Sequence, residues 1–385
     1  MSLIYLDHAA TTPIRSEVRE GMMAILDGDF GNPSSTHRWG RRAAVRLEEA
    51  REKVAEAIGA DRSEIYFVRG GTESDNMAIL GHAAAVRGGG ATPFTVVSAI
   101  EHKAVLSAAA EVGNRGGRWS TVAAYADGTL DLEALDSALS DGASLVSVMT
   151  VNNEVGIHLP IEAVAERTRA HGAVFHTDAV QALGKVPVSV EDLPIDLLSL
   201  TAHKIYGAKG TGVLFVRRGV EITPLIFGGG QERALRPGTE DVAGAVGMSI
   251  AVDLAVQEQE SEAGRLRGLR DLLQALLENG IPDLRVHGDV PHRAPHILNV
   301  GIKNVDPEAL LAGLDLEGVA ASTGSACDSG AQKASHVLEA LYGELEGVAV
   351  LRFSLGHDTS EEHVNHAAKA TLSVLERISG VEARA

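Results

Sequence analysis

Four short clusters in this chain hold the side chains best suited to chemistry. In the first, Ser199-Leu-Thr-Ala-His-Lys204-Ile-Tyr-Gly-Ala-Lys-Gly-Thr-Gly212, a lysine directly follows an apolar β-like run, with Thr201 and His203 beside it. Ligands bind at the carboxyl ends of strands in open α/β sheets. A lysine buried there has a depressed pKa and forms imines readily. The segment alone equally allows a solvent-exposed loop lysine, and it is no P-loop, because G-x-x-x-x-G-K-[ST] does not match. The second cluster, Ala173-Val-Phe-His-Thr-Asp178-Ala-Val-Gln181, ends a β-like run in an acid. An aspartate there commonly caps the next helix. Paired with Lys204 it acquires a second reading, because pyridoxal phosphate needs an imine-forming lysine and a carboxylate that keeps its ring nitrogen protonated.

The third cluster, Val68-Arg-Gly-Gly71-Thr72-Glu-Ser-Asp-Asn76, reads as strand, glycine turn and helix start. Free backbone N–H groups, the helix dipole and the Thr72 hydroxyl make a phosphate cradle. The run is not G-x-G-x-x-G, which disfavours a dinucleotide. The fourth, Ser322-Thr-Gly-Ser-Ala-Cys327-Asp-Ser-Gly-Ala331, surrounds the only cysteine with small residues and one aspartate. Inert thiols usually sit among large apolar side chains, so this setting favours a reactive, exposed thiol. Asp328 departs from an electropositive setting and should hold the thiol pKa up.

The elements that position these residues alternate. β-like runs at Glu64–Val68, Phe94–Ser98, Leu145–Thr150, Ala173–Thr177, Leu197–Thr201 and Gly212–Val216 interleave with helical patterns at Thr72–Val86, Ala104–Asn114 and Ile161–Ala170. Such alternation predicts an α/β fold, a mostly parallel sheet covered by helices on both faces. From Thr239 a long helical stretch runs towards Glu278. Beyond it, β-like runs at Asp283–His287, His296–Val300 and Val348–Ser354, with helical patterns at Pro307–Leu314 and Ser360–Ile378, read as a smaller α+β domain. The expected division is a large domain at 15–250, and a small domain made of 1–14 and 251–385 that carries the cysteine loop.

Composition bounds the function. The 385 residues include one cysteine, so no disulfide or thiol-built metal cage forms within one chain, and a reducing cytosol is the natural setting. A formal charge of −18 disfavours nonspecific attraction to nucleic acid or anionic membrane. The basic stretch from Arg38 to Lys53 has apolar positions at helical spacing (Trp39, Ala43, Leu47, Ala50, Val54, Ile58) and reads as a solvated helix face. The start lacks a leader-like apolar core and no 18-residue apolar run occurs, so a cytoplasmic protein is expected. His363 and His366 stand at i, i+3 without a third ligand, and His292 and His296 read as loop and strand-start residues. No metal is expected.

Taken together, Tyr5-Leu-Asp-His-Ala-Ala-Thr-Thr-Pro13, Gly31-Asn-Pro-Ser-Ser-Thr-His37, Gly71-Thr-Glu-Ser-Asp-Asn76, Glu101-His-Lys-Ala-Val105, Val151-Asn-Asn-Glu-Val-Gly156, His176-Thr-Asp-Ala-Val-Gln181, Thr201-Ala-His-Lys204, Arg236-Pro-Gly-Thr239, Gly324-Ser-Ala-Cys327 and Arg352-Phe-Ser-Leu-Gly356 give the chain a family likeness. It resembles the cysteine desulfurases of the NifS/IscS type, within the class V aminotransferase group of fold type I pyridoxal phosphate enzymes.

The resemblance implies that Lys204 carries the cofactor as an imine, Asp178 pairs with the ring nitrogen and Gln181 bonds the ring's phenolic oxygen. It also implies that His102 stacks on the ring and assists proton transfer, with Asn153 beside ring and substrate. Gly71, Thr72, Thr201 and His203 would hold the phosphate, with Thr239 reaching in from the other subunit of a homodimer. Arg352 would clamp the carboxylate of L-cysteine, and Cys327 would take the sulfur as a persulfide and pass it to an acceptor or scaffold protein. The implied products are alanine and sulfur for iron–sulfur cluster assembly or another thio-modification. A selenocysteine lyase or related β-lyase is the alternative within the same cofactor class; a cofactor-free scaffold and a nicotinamide dehydrogenase are others. The chain departs from the family pattern at Ala208 and Ala334, where prolines are usual, and at Asp328, where serine or threonine is usual.

Overall fold

The computed structural model describes residues 3–288, 291, 293–323, 335–345 and 347–379. Cys327, Asp328, Ala334 and His292 lie outside the described residues. In chain order the main elements are β1 (Ile4–Tyr5), α1 (Ser16–Gly28), α2 (Arg38–Ile58), β2 (Ile65–Val68), α3 (Gly71–Gly88), β3 (Phe94–Ser98), α4 (Lys103–Asn114), β4 (Arg118–Val122), α5 (Leu132–Ser140), β5 (Leu145–Ser147), α6 (Ile161–Ala170), β6 (Val174–Asp178), β7 (Leu197–Thr201) and β8 (Gly212–Val216). There follow α7 (Val242–Gly280), β9 (Arg285–His287), β10 (Ile297–Lys303), α8 (Pro307–Leu316), β11 (Val319–Ala320), α9 (His336–Tyr342), β12 (Val348–Ser354) and α10 (Glu361–Ser379).

Strands β2 to β8 form one sheet in the order β2-β8-β7-β6-β5-β3-β4, in which only β8 opposes its neighbours. The fold is therefore α/β with a mostly parallel sheet. Every residue of β3, β5, β7 and β8 is buried, as expected for strands covered by helices on both faces. Edge strand β4 is different: only Val122 is buried. Helix α2 buries Ala43, Leu47, Ala50, Val54 and Ile58, whereas Trp39, on the first turn, is exposed.

Beyond the sheet, α7 runs for 39 residues, capped by the Asp241 side chain accepting from Gly244 N at 2.9 Å. Its second half buries Leu266, Leu273 and Leu277 in a separate apolar cluster with Leu298, Val300, Leu314, Leu351 and Phe353. Ile4 and Leu6 join that cluster, and β1 pairs in parallel with β11. The chain start is thus held by residues more than 300 positions away, and Asp7 to Thr12 is led across the end of the large sheet.

Candidate active site

Because β2, β3, β5, β6 and β7 all run the same way, their carboxyl ends share one edge of the sheet. β6 delivers Asp178, and β7 delivers Thr201 and the short turn of His203 and Lys204. β2 delivers the first turn of α3, and β3 leads to His102 at the cap of α4. Gly71, Thr72, His102, Asn153, Asp178, Gln181, Thr201, His203, Lys204 and Arg352 all line one cavity of about 430 Å³. Thr239 does not; it is exposed on the loop before α7.

Glycine is needed where α3 meets the sheet. Gly70 has φ of +131°, and a Cβ on Gly212 would stand 2.7 Å from the Gly70 Cα. The N-cap of α3 makes no side-chain hydrogen bond, and the turn closes with Ser74 N donating to Gly70 O at 3.1 Å. The first N–H groups of α3 therefore face the cavity side without helical partners, next to the hydroxyls of Thr72 and Thr201 and the His203 ring. That donor set suits a phosphate.

Lys204 Nζ donates to the carbonyl oxygens of Ala9 and Ala10, the latter at 2.7 Å. Gln181 Nε2 donates to the same Ala9 oxygen at 2.9 Å. Asp178 accepts from Val180 N at 2.8 Å. Burial pushes its carboxyl pKa up, opposed by His102, that N–H bond and Lys204. Asp75, fully buried, is pushed well up by desolvation and then by the charge of Asp178. Two buried acids facing one another call for a cation in front of Asp178, as a protonated ring nitrogen would be. Burial lowers His203 to about 4, helped by Lys204 and Lys209, so the ring is neutral near pH 7. His102 is likewise lowered, first by burial, with Lys204 and His336 adding to it and Asp178 opposing.

The opposite wall comes from distant sequence. Arg352 is 2% exposed; its Nη1 donates to Asn153 O and its Nη2 to Asp7 Oδ1, both at 2.8 Å. Ser322 and Arg352 exchange backbone hydrogen bonds, at 3.1 and 2.6 Å. Ser335 Oγ donates to Glu154 Oε2, and His336 Nε2 donates to Glu101 O at 2.9 Å. Sequence reasoning passed over Asp75, Glu154 and His336, which also line the cavity. Asp75 and Glu154 lay inside motifs already noted, and a polar residue within a buried run was their signal. His336 had none.

A half-buried lysine just past a strand end, an acid at the end of the neighbouring strand and an open helix N-terminus define a site for a phosphate-bearing aldehyde cofactor. The family described as aminotransferase class-V matches residues 4–366. The chain is 45% identical over 376 residues to "Cysteine desulfurase IscS" of Dictyoglomus turgidum, covering 97% of this chain and 94% of that one. It is 42% identical over 385 residues to "Cysteine desulfurase IscS" of Klebsiella pneumoniae, covering 97% and 93%. Among solved structures, a "NIFS-LIKE PROTEIN" superposes with a TM-score of 0.91 at 34% identity, over 98% of this chain and 100% of that chain. A structure titled "SspA in complex with cysteine" does so at 0.80 and 32% identity, over 91% and 98%. The chain belongs to the class-V aminotransferase family, and its cofactor is pyridoxal 5′-phosphate. Among the described residues no group of three or more His, Cys, Asp or Glu could hold a metal ion, and no helix is long and apolar enough to cross a membrane.

Proposed function

We propose that this protein is a cysteine desulfurase, which takes L-cysteine, releases L-alanine and leaves the sulfur as a persulfide on Cys327 for an acceptor protein. The observation that carries this reading is the joint placement of the Lys204 amine, the Asp178 carboxyl and the Arg352 guanidinium on one cavity. Near-full-length relatives that bear this name support it. Pyridoxal phosphate supplies a reversible amine-binding carbon and an electron-withdrawing ring.

The chain's own residues do the rest. Lys204 Nζ would hold the cofactor, and the same amine is placed to take the substrate Cα proton. Asp178 would hold the proton of the ring nitrogen, Gln181 would bond the phenolic oxygen, and His102 and Asn153 would attend ring and substrate. Gly71, Thr72, Thr201 and His203 hold the phosphate. Arg352 takes the substrate carboxylate with its planar fork, already aimed by Asp7 and the Asn153 carbonyl. The Cys327 thiolate bonds the substrate sulfur as the sulfur–Cβ bond breaks, and the electron pair left on carbon is protonated to the methyl of alanine.

The working unit in this proposal is a homodimer in which Thr239 reaches the partner's phosphate site. Its support is local. Glu232, at φ of +44°, accepts from Arg51 at 2.7 and 2.8 Å and from Phe67 N at 3.0 Å, which fixes the loop leading to the exposed Thr239. Phe30 and Phe227 are exposed apolar side chains, Phe227 at 83%, of the kind a subunit interface covers. We further propose the domain division at 250 given above, a cytoplasmic setting that keeps the lone thiol reduced, and delivery of sulfur to iron–sulfur cluster assembly or another thio-modification.

Cys327→Ser tests the reading. The variant should keep the cofactor and bind cysteine while yielding no persulfide and less than about one hundredth of the sulfide, measured with alanine. Sulfide release at the normal rate would overturn the assignment.

A further inference from the structure

Lys204 sits on a turn that its own hydrogen bonds do not close. After β7, Ala202 N donates to Thr211 O at 3.0 Å, and the Ala202 carbonyl accepts from Ile205 N at 3.0 Å and from Gly207 N at 2.8 Å. That carbonyl is then fully used, and Tyr206 N and the His203 carbonyl take their partners from elsewhere in the chain. Tyr206 also stands at φ of +66°, a left-handed conformation that is costly for an aromatic residue and persists only where its surroundings impose it.

Thr12 supplies both missing partners. Its N donates to His203 O at 2.9 Å, its hydroxyl meets the same oxygen at 3.1 Å, and Tyr206 N donates to Thr12 Oγ1 at 2.8 Å. A carbonyl only accepts and an N–H only donates, so the hydroxyl proton points to His203 and a lone pair to Tyr206. Arg15 N extends the clasp by donating to Tyr206 O at 3.1 Å. The same segment reaches the amine itself, through the carbonyls of Ala9 and Ala10, and is tied to β12 by Ala9 N donating to Ser354 Oγ at 2.8 Å. Thr12 is 4% exposed and does not itself line the cavity. Removing its hydroxyl would leave two inward polar groups without a bond.

We propose that Thr12 is a positioning residue for Lys204: its hydroxyl bridges His203 O and Tyr206 N and so holds the turn that aims the amine. This rests on the reading of Lys204 as the amine that carries the cofactor.

Thr12→Val keeps the side chain's shape and removes both hydroxyl bonds, whereas Thr12→Ser keeps them. A loosened turn misplaces the amine but leaves Arg352 to meet the substrate carboxylate. In the Thr12→Val holoenzyme kcat for alanine formation should fall about tenfold to a hundredfold with KM for cysteine within about threefold of the wild type. Cofactor release on dilution, followed by visible absorption, should quicken about tenfold, and Thr12→Ser should lie within about threefold of the wild type in both measurements. A contact that served folding alone would lower Tm and leave both values unchanged in the folded protein. Thr12→Val with kcat and cofactor release within about twofold of the wild type overturns the proposal. If Thr12→Val does not fold, Thr12→Ala set against Thr12→Ser makes the same comparison, and equal kcat and release in that pair overturn it. Visible absorption that persists unchanged in Lys204→Ala would instead overturn the reading of Lys204, a failure separate from either result with Thr12.

Discussion

The cavity has a floor and a wall, and they are built differently. The floor is the sheet edge, where Asp178, Thr201, Lys204 and the first turn of α3 sit at strand ends fixed by the backbone ladder. The wall is drawn from afar: Asp7 meets Arg352 across 345 residues, Gln181 reaches Ala9 across 172, and His336 reaches Glu101 across 235. A ladder sets positions cooperatively, residue pair by residue pair along the strands. The contacts of Asp7 and Ala9 depend on the smaller apolar cluster that holds Ile4 and Leu6, whereas His336 is anchored by Val337 and Leu338 in the larger core. The floor is therefore suited to hold a permanent cofactor and the wall to admit and orient a substrate that comes and goes.

That division is tested most severely on the floor. Lys204→Ala should lower turnover by at least about 10³-fold and let the cofactor leave on dialysis, because the amine at the end of β7 that would carry it is gone. Folding should survive, since the hydrogen bonds lost include those to the loop carbonyls of Ala9 and Ala10 and no core packing is removed. Alanine formation and the visible absorption of the protein check it. Substantial remaining turnover would break the assignment of the floor.

The wall should fail differently. Arg352→Lys keeps the charge and loses the planar fork that meets both Asp7 and the Asn153 carbonyl. At about 1.5–3 kcal/mol for a charged hydrogen bond, KM for cysteine should rise roughly 10- to 100-fold with a smaller change in kcat, and cofactor absorption should stay as in the wild type. Loss of cofactor from this variant would mean that floor and wall are not separable.

How far the sequence told floor from wall follows from the same physics. Buried strands read as largely apolar runs whatever their direction, so the parallel β3 and β7 and the antiparallel β8 and β12 could be bounded to the residue, and α6 announced itself by periodicity. Edge strand β4, Arg-Trp-Ser-Thr-Val, buries a single residue and offered no pattern, and α5 was passed over beside it. In the site, Lys204 and Asp178 were legible because a polar group closing an apolar run marks a strand end. The carbonyls of Ala9 and Ala10 carry no side-chain signal, and the contact of Asp7 with Arg352 exists only once β1 pairs with β11. Resemblance supplied Arg352, His102 and Asn153; spacing alone did not.

The smallest effect compares a buried histidine in each region. His176, 0% exposed beneath the floor, holds Ser147 Oγ at 2.8 Å and Ser199 Oγ at 3.0 Å, and burial pushes its pKa down to about 3. His8, in the wall, is lowered to about 4, first by burial and then by the charge of Lys185. Each folded value lies below the unfolded value of 6.5, so the unfolded chain binds the extra proton as the pH falls. The stability each neutral ring contributes is complete above pH ~6.5 and is lost progressively as the pH falls through the folded value. His176→Gln should therefore lower Tm at pH 7.5, where two hydrogen bonds of about 1 kcal/mol each are disturbed. Its deficit against the wild type should narrow steadily between pH 6.5 and pH 4.5, as the wild type gives up its own advantage. His8→Gln should narrow in the same sense with a shallower total, because its folded value is displaced less. Thermal unfolding of the holoenzyme across this range checks both, and Tm–pH curves that stay parallel to the wild type would show that neither ring is held neutral by its surroundings.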